Sequence, residues 1–138
     1  MTCHFILYVQ DQRASTEFYA AVLERAPDLN VPGMTEFRLG RHAVLGLMPV
    51  SGIKRLLGDS LPDPTAGTGG GRAEIYLRVA DASKHHVLAL ANGARELSPL
   101  QARDWGDLAA YSLDMDGHVL AFAEMQVGFE TICADGVQ

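Results

Sequence analysis

The chain has the length and composition of one ordinary globular domain. It has 138 residues, of which 48% are hydrophobic and 20% charged, and its formal net charge is -6. Only 11 residues are lysine or arginine and they form no cluster, which argues against a nucleic-acid partner. No apolar run approaches the roughly 18 residues that span a bilayer, and the N-terminus lacks signal-peptide features. We therefore expect a cytoplasmic protein that binds no membrane.

The two cysteines predict no disulfide framework. Cys3 and Cys133 lie near opposite ends of the chain and have no CxxC spacing. This pattern indicates two reduced thiols rather than a disulfide or a zinc knuckle.

The first half of the chain predicts a β-α-β-β order. The stretch CHFILYVQ ends at Asp11, a residue that can cap the helix that follows. Apolar residues then recur at helical spacing until Pro27 closes the pattern. The predicted elements are a strand over 3–10, a helix over 12–25, strands over 35–40 and 43–48, a short helix over 52–58 and, as an open alternative, a further strand at 29–31.

The stretch DSLPDPTAGTGGG, residues 59–71, predicts a linker. A phosphate-binding loop is the alternative, but such loops carry GK[ST] or GxGxxG between a strand and a helix. This stretch runs directly into a strand-like segment, which favours the linker.

The second half of the chain repeats the pattern of the first. EIYLRVAD at 74–81 matches HFILYVQD at 4–11, and each predicted strand ends in Asp and precedes a predicted helix, here 82–92. Strands are predicted over 108–114 and 118–124, across the DMDG turn. A module of this size cannot bury its sheet face alone, so we expect two sheets side by side around a shared concavity.

Three motifs, in this order, resemble the vicinal oxygen chelate superfamily. The first is Asp11 followed by the helix that carries FY and VL, the second is the DWG of residues 104–106, and the third is the DMDG of residues 114–117, similar to the family's DPDG with Met115 in place of proline. The superfamily includes glyoxalase I, extradiol dioxygenases, fosfomycin-resistance proteins and bleomycin-binding proteins. The resemblance covers about residues 4–125.

The resemblance implies an α+β fold with two tandem βαβββ modules. These would form an open, barrel-like mixed sheet with helices outside and a small ligand inside, commonly in a homodimer. We expect a single vicinal oxygen chelate domain over 1–138, with module 1 at about 3–58, the linker at 59–71, module 2 at about 72–126 and a C-terminal tail at 127–138.

The resemblance also implies where a divalent ion would bind. Metal-binding members use about four protein ligands, one on the first strand and one on the last strand of each module, and His or Glu suits such an ion. Counting seven residues back from Asp11 and Asp81 gives His4 and Glu74. Counting four residues on from Gly117 gives Ala121, and the matching position in module 1 is Gly46, within a residue or two.

The predicted metal site is therefore incomplete. Glu124 does not replace the missing carboxylate, because side chains alternate along a strand and residue 124 has the opposite parity to Ala121. We expect no cofactor, with a divalent metal ion as the open alternative.

The same alternation predicts the side chains of the concave face. Candidate ligand-binding residues are Tyr8, Met48, Tyr76, Arg78 and Tyr111, with Trp105 on the loop before the last strands. The alternative for the aromatic residues is ordinary sheet packing. Arg78 is suited to bind a carboxylate or phosphate, or else pairs with Glu74 on the same face.

The leading hypothesis is a glyoxalase/bleomycin-resistance-like protein that binds a small organic molecule without a complete metal site. One alternative is a metal-dependent lyase, dioxygenase or thiol transferase that uses His4 and Glu74. The other is a non-enzymatic dimeric interaction protein. The spacing of the residues identifies no catalytic group.

Overall fold

A computed structural model describes residues 1–60 and 73–126 and divides the chain into two compact units, Met1–Gly70 and Gly71–Gln138. Most of the predicted linker, residues 61–71, lies outside the described residues, as do Cys133 and the predicted tail at 127–138. The single-domain boundaries stay a prediction.

The first unit is a four-stranded mixed sheet with two helices. Its elements are β1 (Cys3–Val9), α1 (Gln12–Leu23), β2 (Leu29–Val31), β3 (Met34–Gly40), β4 (Ala43–Pro49) and α2 (Val50–Leu57), followed by a 3-10 turn at Gly58–Ser60. The strand order is β1-β4-β3-β2. β1 is parallel to β4, whereas the other neighbours are antiparallel.

Helix α1 begins where the sequence predicts it. The carboxylate of Asp11 accepts a hydrogen bond from the backbone N–H of Ala14 at 3.0 Å, which satisfies one of the free donors of the first turn. The helix ends at Glu24, which has the left-handed conformation with φ 54°. Between them Phe18, Tyr19 and Val22 are buried, so α1 packs an apolar stripe on the sheet.

The side of the first sheet that α1 covers is identified by Thr35 of β3. Its hydroxyl lies 2.8 Å from the hydroxyl of Thr16 in α1, and Thr35 is in register with Leu47. Residues opposite each other in neighbouring strands share a face, so Leu47 also lies on the helix-covered side. Alternate residues, including Glu36 and Gly46, lie on the side opposite α1, which we call the open face of the sheet.

The second unit repeats this arrangement with one helix. Its elements are β5 (Glu74–Arg78), α3 (Ala82–Ala91), β6 (Arg95–Ala102), β7 (Asp107–Leu113) and β8 (Val119–Met125). The strand order is β5-β8-β7-β6, and β5 is parallel to β8. Asp81 caps α3 by accepting from the backbone N–H of Lys84 at 3.1 Å.

Two contacts identify the helix-covered face of the second sheet. The ring of His85 in α3 stacks on Phe122 with centroids 5.1 Å apart, and the backbone N–H of Ala82 donates to Glu124 at 3.4 Å. Since Phe122 and Glu124 lie under the helix, the alternate residues Ala121 and Ala123 lie on the open face.

The predicted fold class is confirmed: the chain is α+β, with two tandem βαβββ modules and mixed sheets. Strand β6 was not predicted from the residues. It contains Pro99, which cannot donate to a ladder, and it is mostly exposed because it lies at the edge of its sheet, where proline is tolerated.

Among residues 1–60 and 73–126, no helix combines the length and the apolar character that crossing a bilayer requires.

Candidate functional site

The open face of the second sheet brings together most of the predicted ligand-binding residues. Tyr76 of β5 and Tyr111 of β7 are both in register with Ala121 of β8, one on each side of it. Glu74 and Arg78 lie on the same face as Tyr76, because they are two residues away along β5. The side chain of Ala121 is fully buried.

A buried carboxylate, Asp107, organises this face. Asp107 is only 2% exposed, and its Oδ2 accepts a hydrogen bond from the hydroxyl of Tyr76 at 2.6 Å and another from Nε of Arg78 at 3.2 Å. The indole N–H of Trp105 donates to the same Tyr76 hydroxyl at 2.9 Å. We call Tyr76, Arg78, Trp105 and Asp107 the Asp107 cluster.

Asp107 was missed at the level of sequence, although a signal was present. It follows the DWG motif directly and has the same parity along β7 as Tyr111, so alternation places it on the open face. Among the described residues, the ion pair of Arg78 is with Asp107 and not with Glu74.

The surroundings of the two tyrosines keep their hydroxyls protonated. Burial and, after it, the hydrogen bond to Asp107 raise the pKa of Tyr76 to about 12, against an opposing effect of Trp105. Burial also raises the pKa of Tyr111, with the negative charge of Glu74 acting in the same direction. Both groups are therefore neutral donors at physiological pH and are poorly suited to act as bases.

Trp105 combines exposure with a fixed orientation. It is 55% exposed, yet its ring nitrogen is hydrogen-bonded and its ring lies 6.5 Å from that of Tyr76, tilted by 59°. Gly106 beside it has φ 96°, a conformation that favours glycine, and this tight turn leads into β7. The loop therefore presents an oriented indole to solvent.

Arg103, also missed by sequence reasoning, supports Tyr111. Its guanidinium lies 5.1 Å from the centre of the Tyr111 ring. The same group donates to the carbonyl of Ala109 at 2.8 Å and to the hydroxyl of Ser98 at 2.7 Å. The guanidinium is thus held by hydrogen bonds to β6 and β7. It is therefore not available to bind an anion on this face.

The open face of the first sheet carries the remaining predicted residues. Nδ1 of His4 lies 3.3 Å from Oε2 of Glu36 on β3, a residue that sequence reasoning did not select. Tyr8 is in register with Met48, and both are half-buried. These residues belong to the first unit, whereas the Asp107 cluster belongs to the second.

The donors present do not fit the four-ligand metal set that the family implies. Gly46 is in register with both Ile6 and Glu36 on the open face of the first sheet, and it offers no side-chain donor. Ala121 offers none on the second sheet. Glu124 lies on the opposite face and accepts a hydrogen bond from Ala82. Two of the four expected positions therefore lack an oxygen or nitrogen.

A second group of candidate ligands lies in the DMDG turn. Asp114, Asp116 and His118 offer ligand atoms within 4.8 Å of one another. However, Oδ1 of Asp114 already accepts from the backbone N–H groups of Asp116 and His118, both at 2.9 Å, as in an ordinary Asx turn. Burial lowers the pKa of His118, but the hydrogen bond and charge of Asp114 outweigh it and raise the pKa overall.

A cavity of about 770 Å³ lies elsewhere, in the first unit, beside the start of α1 and strand β2. Its lining includes Asp11, Gln12, Thr16 and Asn30 and none of the predicted site residues. Thr16 contacts Thr35 on the helix-covered face, so this cavity is separate from the open face of the sheet.

Comparisons with known proteins agree with this architecture. Residues 3–122 match the Glyoxalase/Bleomycin resistance protein/Dioxygenase superfamily. No curated protein matches the chain.

Its fold is shared by a number of solved structures. A glyoxalase-related enzyme from Fulvimarina pelagi is 22% identical with a TM-score of 0.76, covering 90% of this chain and 87% of that one. A glyoxalase/bleomycin resistance protein/dioxygenase from Nocardioides is 20% identical with a TM-score of 0.69, covering 93% and 85%. A family enzyme from Burkholderia phytofirmans PsJN is 16% identical with a TM-score of 0.76, covering 89% and 97%.

At these identities the solved structures establish the fold alone. The match over residues 3–122 spans most of the chain, and the tandem βαβββ units agree with it. The chain belongs to the Glyoxalase/Bleomycin resistance protein/Dioxygenase superfamily.

Proposed function

We propose that this protein binds a small aromatic or amphipathic molecule on the open face of its second sheet, without a complete metal site. The observation that carries the proposal is Trp105, which is 55% exposed although a hydrogen bond to Tyr76 fixes its orientation. Covering an exposed ring is favourable by about 25 cal/mol per Å² of apolar surface. Because the indole is already oriented, little conformational entropy is lost when a ligand stacks on it.

The distribution of donors supports binding over metal-dependent catalysis. Glycine and alanine stand at Gly46 and Ala121, where the family resemblance implies metal ligands. On the second sheet, the tyrosine hydroxyls stay protonated, so they are suited to hold a ligand and not to abstract a proton.

Fluorescence and thermal-shift measurements test this proposal directly. Trp105 is the one tryptophan of the chain, so its emission reports on this site alone. We expect at least one member of a panel of aromatic metabolites and hydrophobic antibiotics to raise the melting temperature and change the emission. The thermal response should be lost in Trp105→Ala.

Phe5→Ala is the matched control. Phe5 is 61% exposed, similar to Trp105, but it lies on the first sheet in register with Leu45. The ligand response should survive this change. A panel that shifts neither signal would contradict the binding proposal and favour the non-enzymatic interaction protein.

A metal-dependent lyase, dioxygenase or thiol transferase is the second candidate. It is favoured by the contact between His4 and Glu36, which brings a nitrogen and a carboxylate together on an open face at 3.3 Å. Protein purified without chelator and supplied with Ni, Zn, Mn or Fe should then retain about one equivalent per chain. That metal should be lost in His4→Ala and Glu36→Ala but kept in Glu17→Ala, a change on the exposed side of α1.

The resemblance further supports a homodimer, and the charge and hydropathy of the sequence support a cytoplasmic location with neither nucleic acid nor membrane as a partner. Glu74 stays a candidate metal ligand in the second hypothesis only. Neither candidate function assigns a catalytic residue.

A further inference from the structure

We propose that the molecule bound on the second sheet is a planar aromatic carboxylate, with its acid group on the terminal amines of Arg78 and its ring on Trp105. This inference rests on the proposed function and names the class of ligand. Three observations support it. Asp107 occupies only the Nε of Arg78, Glu74 places a negative charge elsewhere on the same face, and Trp105 is linked to Asp107 through the hydroxyl of Tyr76.

Among the residues that the structure describes, Arg78 is held at one end only. Its Nε donates to Asp107 at 3.2 Å, while its side chain is 53% exposed. Among the described residues, its two terminal amines have no hydrogen-bond partner. A guanidinium presents its two terminal amines as a planar pair, which matches the two oxygens of a carboxylate.

Asp107 prepares Arg78 for this role. The carboxylate is buried and cannot rotate away, since it also accepts from Tyr76 at 2.6 Å. The guanidinium is therefore oriented before the ligand arrives, which reduces the entropy lost on binding. Because Asp107 already offsets part of its positive charge, a singly charged acid suits Arg78 better than a doubly charged phosphate does.

Glu74 sets the direction in which an acid would bind. It lies on the same face and strand, four residues before Arg78, which at about 3.3 Å per residue corresponds to roughly 13 Å. An anionic group near Glu74 would be repelled, whereas one at Arg78 would be attracted. The acid group is therefore expected at the Arg78 end of β5.

The ring position follows from the hydrogen bonds of Tyr76. Its hydroxyl accepts from the indole of Trp105 at 2.9 Å and donates to the carboxylate that holds Arg78. The exposed indole and the guanidinium are thus joined through only three short contacts. A single aromatic acid spans that separation, with its ring on the indole.

Calorimetric titration with trans-cinnamate and its neutral isostere trans-cinnamamide tests the assignment. We expect cinnamate to bind at least about tenfold more tightly than cinnamamide, since a hydrogen bond to a charged group contributes at least that factor. Arg78→Gln should weaken cinnamate binding by about tenfold or more and leave cinnamamide binding unchanged. Phenyl phosphate should bind more weakly than cinnamate.

Arg13→Gln is the matched control. Arg13 also donates through Nε to a carboxylate at 3.2 Å, but on the exposed surface of α1, and its loss should not change cinnamate affinity. Glu74→Gln should strengthen cinnamate binding, because it removes a negative charge from the face. If Arg78→Gln does not fold, the comparison of cinnamate with cinnamamide in the unaltered protein still tests whether the site prefers a carboxylate.

The failures of the two proposals are distinguishable. Equal binding of cinnamate and cinnamamide, or tighter binding of phenyl phosphate, would overturn the carboxylate assignment and leave the proposed function standing. Absence of binding by cinnamate, cinnamamide and every member of the wider panel would overturn both.

Discussion

At the scale of single residues, the two ion pairs of arginine described above have the same length but differ in how deeply their carboxylates are buried. Arg78–Asp107 and Arg13–Glu17 both have a nitrogen–oxygen distance of 3.2 Å. The carboxylate of Asp107 is 2% exposed, whereas that of Glu17 is 69% exposed. Exposed ion pairs contribute little to stability because water screens them. Removing a buried carboxylate, by contrast, leaves the groups that donate to it without an acceptor.

Asp107→Asn should therefore destabilise the protein far more than Glu17→Gln. We expect a loss of about 1–3 kcal/mol for Asp107→Asn, since the charge that accepts from Tyr76 and Arg78 disappears, and at most about 0.5 kcal/mol for Glu17→Gln. Urea unfolding followed by circular dichroism measures both. Equal effects of the two changes would show that Asp107 does not organise the face.

Tyr76 should ionise later than an ordinary tyrosine. Burial and the hydrogen bond to Asp107 raise its pKa to about 12 from 10.0. Because the unfolded chain loses this proton first, the stabilisation is fully present below about pH 10 and is lost as the pH rises toward 12.

The ultraviolet absorbance of phenolate measures this ionisation. The difference between the titrations of the unaltered protein and Tyr76→Phe gives the curve of Tyr76 alone, and Asp107→Asn should move that curve to lower pH. A Tyr76 curve centred at the ordinary tyrosine value would contradict the hydrogen bond.

At the scale of secondary-structure elements, the two long helices that follow the first strands are started by the same device. Asp11 and Asp81 accept from the backbone N–H three residues later, at 3.0 and 3.1 Å. Replacement of either by alanine should cost about 1 kcal/mol, whereas replacement by asparagine should cost only a few tenths. Urea unfolding of the four variants checks this. Loss of stability in the asparagine variants equal to that in the alanine variants would point to charge, not capping.

The elements predicted well from the sequence are those with a strong local signal. Alternating apolar residues predicted β1 and β5, and the capping aspartates predicted the starts of α1 and α3, because these features depend on neighbours along the chain. β6 has no such signal, since it is an exposed edge strand that contains Pro99. Asp107 was missed because its role depends on side chains of β5. That strand pairs with β8 and not with β7, the strand on which Asp107 lies.

At the scale of the whole molecule, the duplication is confirmed in topology. The first sheet has the order β1-β4-β3-β2 and the second the order β5-β8-β7-β6, so each module places its first and last strands side by side. The residues that differ between the modules then distinguish the two open faces. The second unit has the Asp107 cluster on its open face, where the first has His4 and Glu36.

The family resemblance predicts a homodimer. Light scattering coupled to size exclusion should give about twice the chain mass of 14.9 kDa at micromolar concentration. A mass of a single chain at every concentration tested would contradict this expectation.

The parallel pairing of first with last strand also constrains how each module is made. During synthesis β1 emerges early, but its neighbour β4 is the last strand of the module, so Cys3 must await Ala43 before its ladder can form. The same delay recurs when β5 awaits β8. Pairing across so much intervening chain slows folding and leaves strand edges uncovered on the ribosome. Each module therefore completes its sheet only after its final strand has left the exit tunnel.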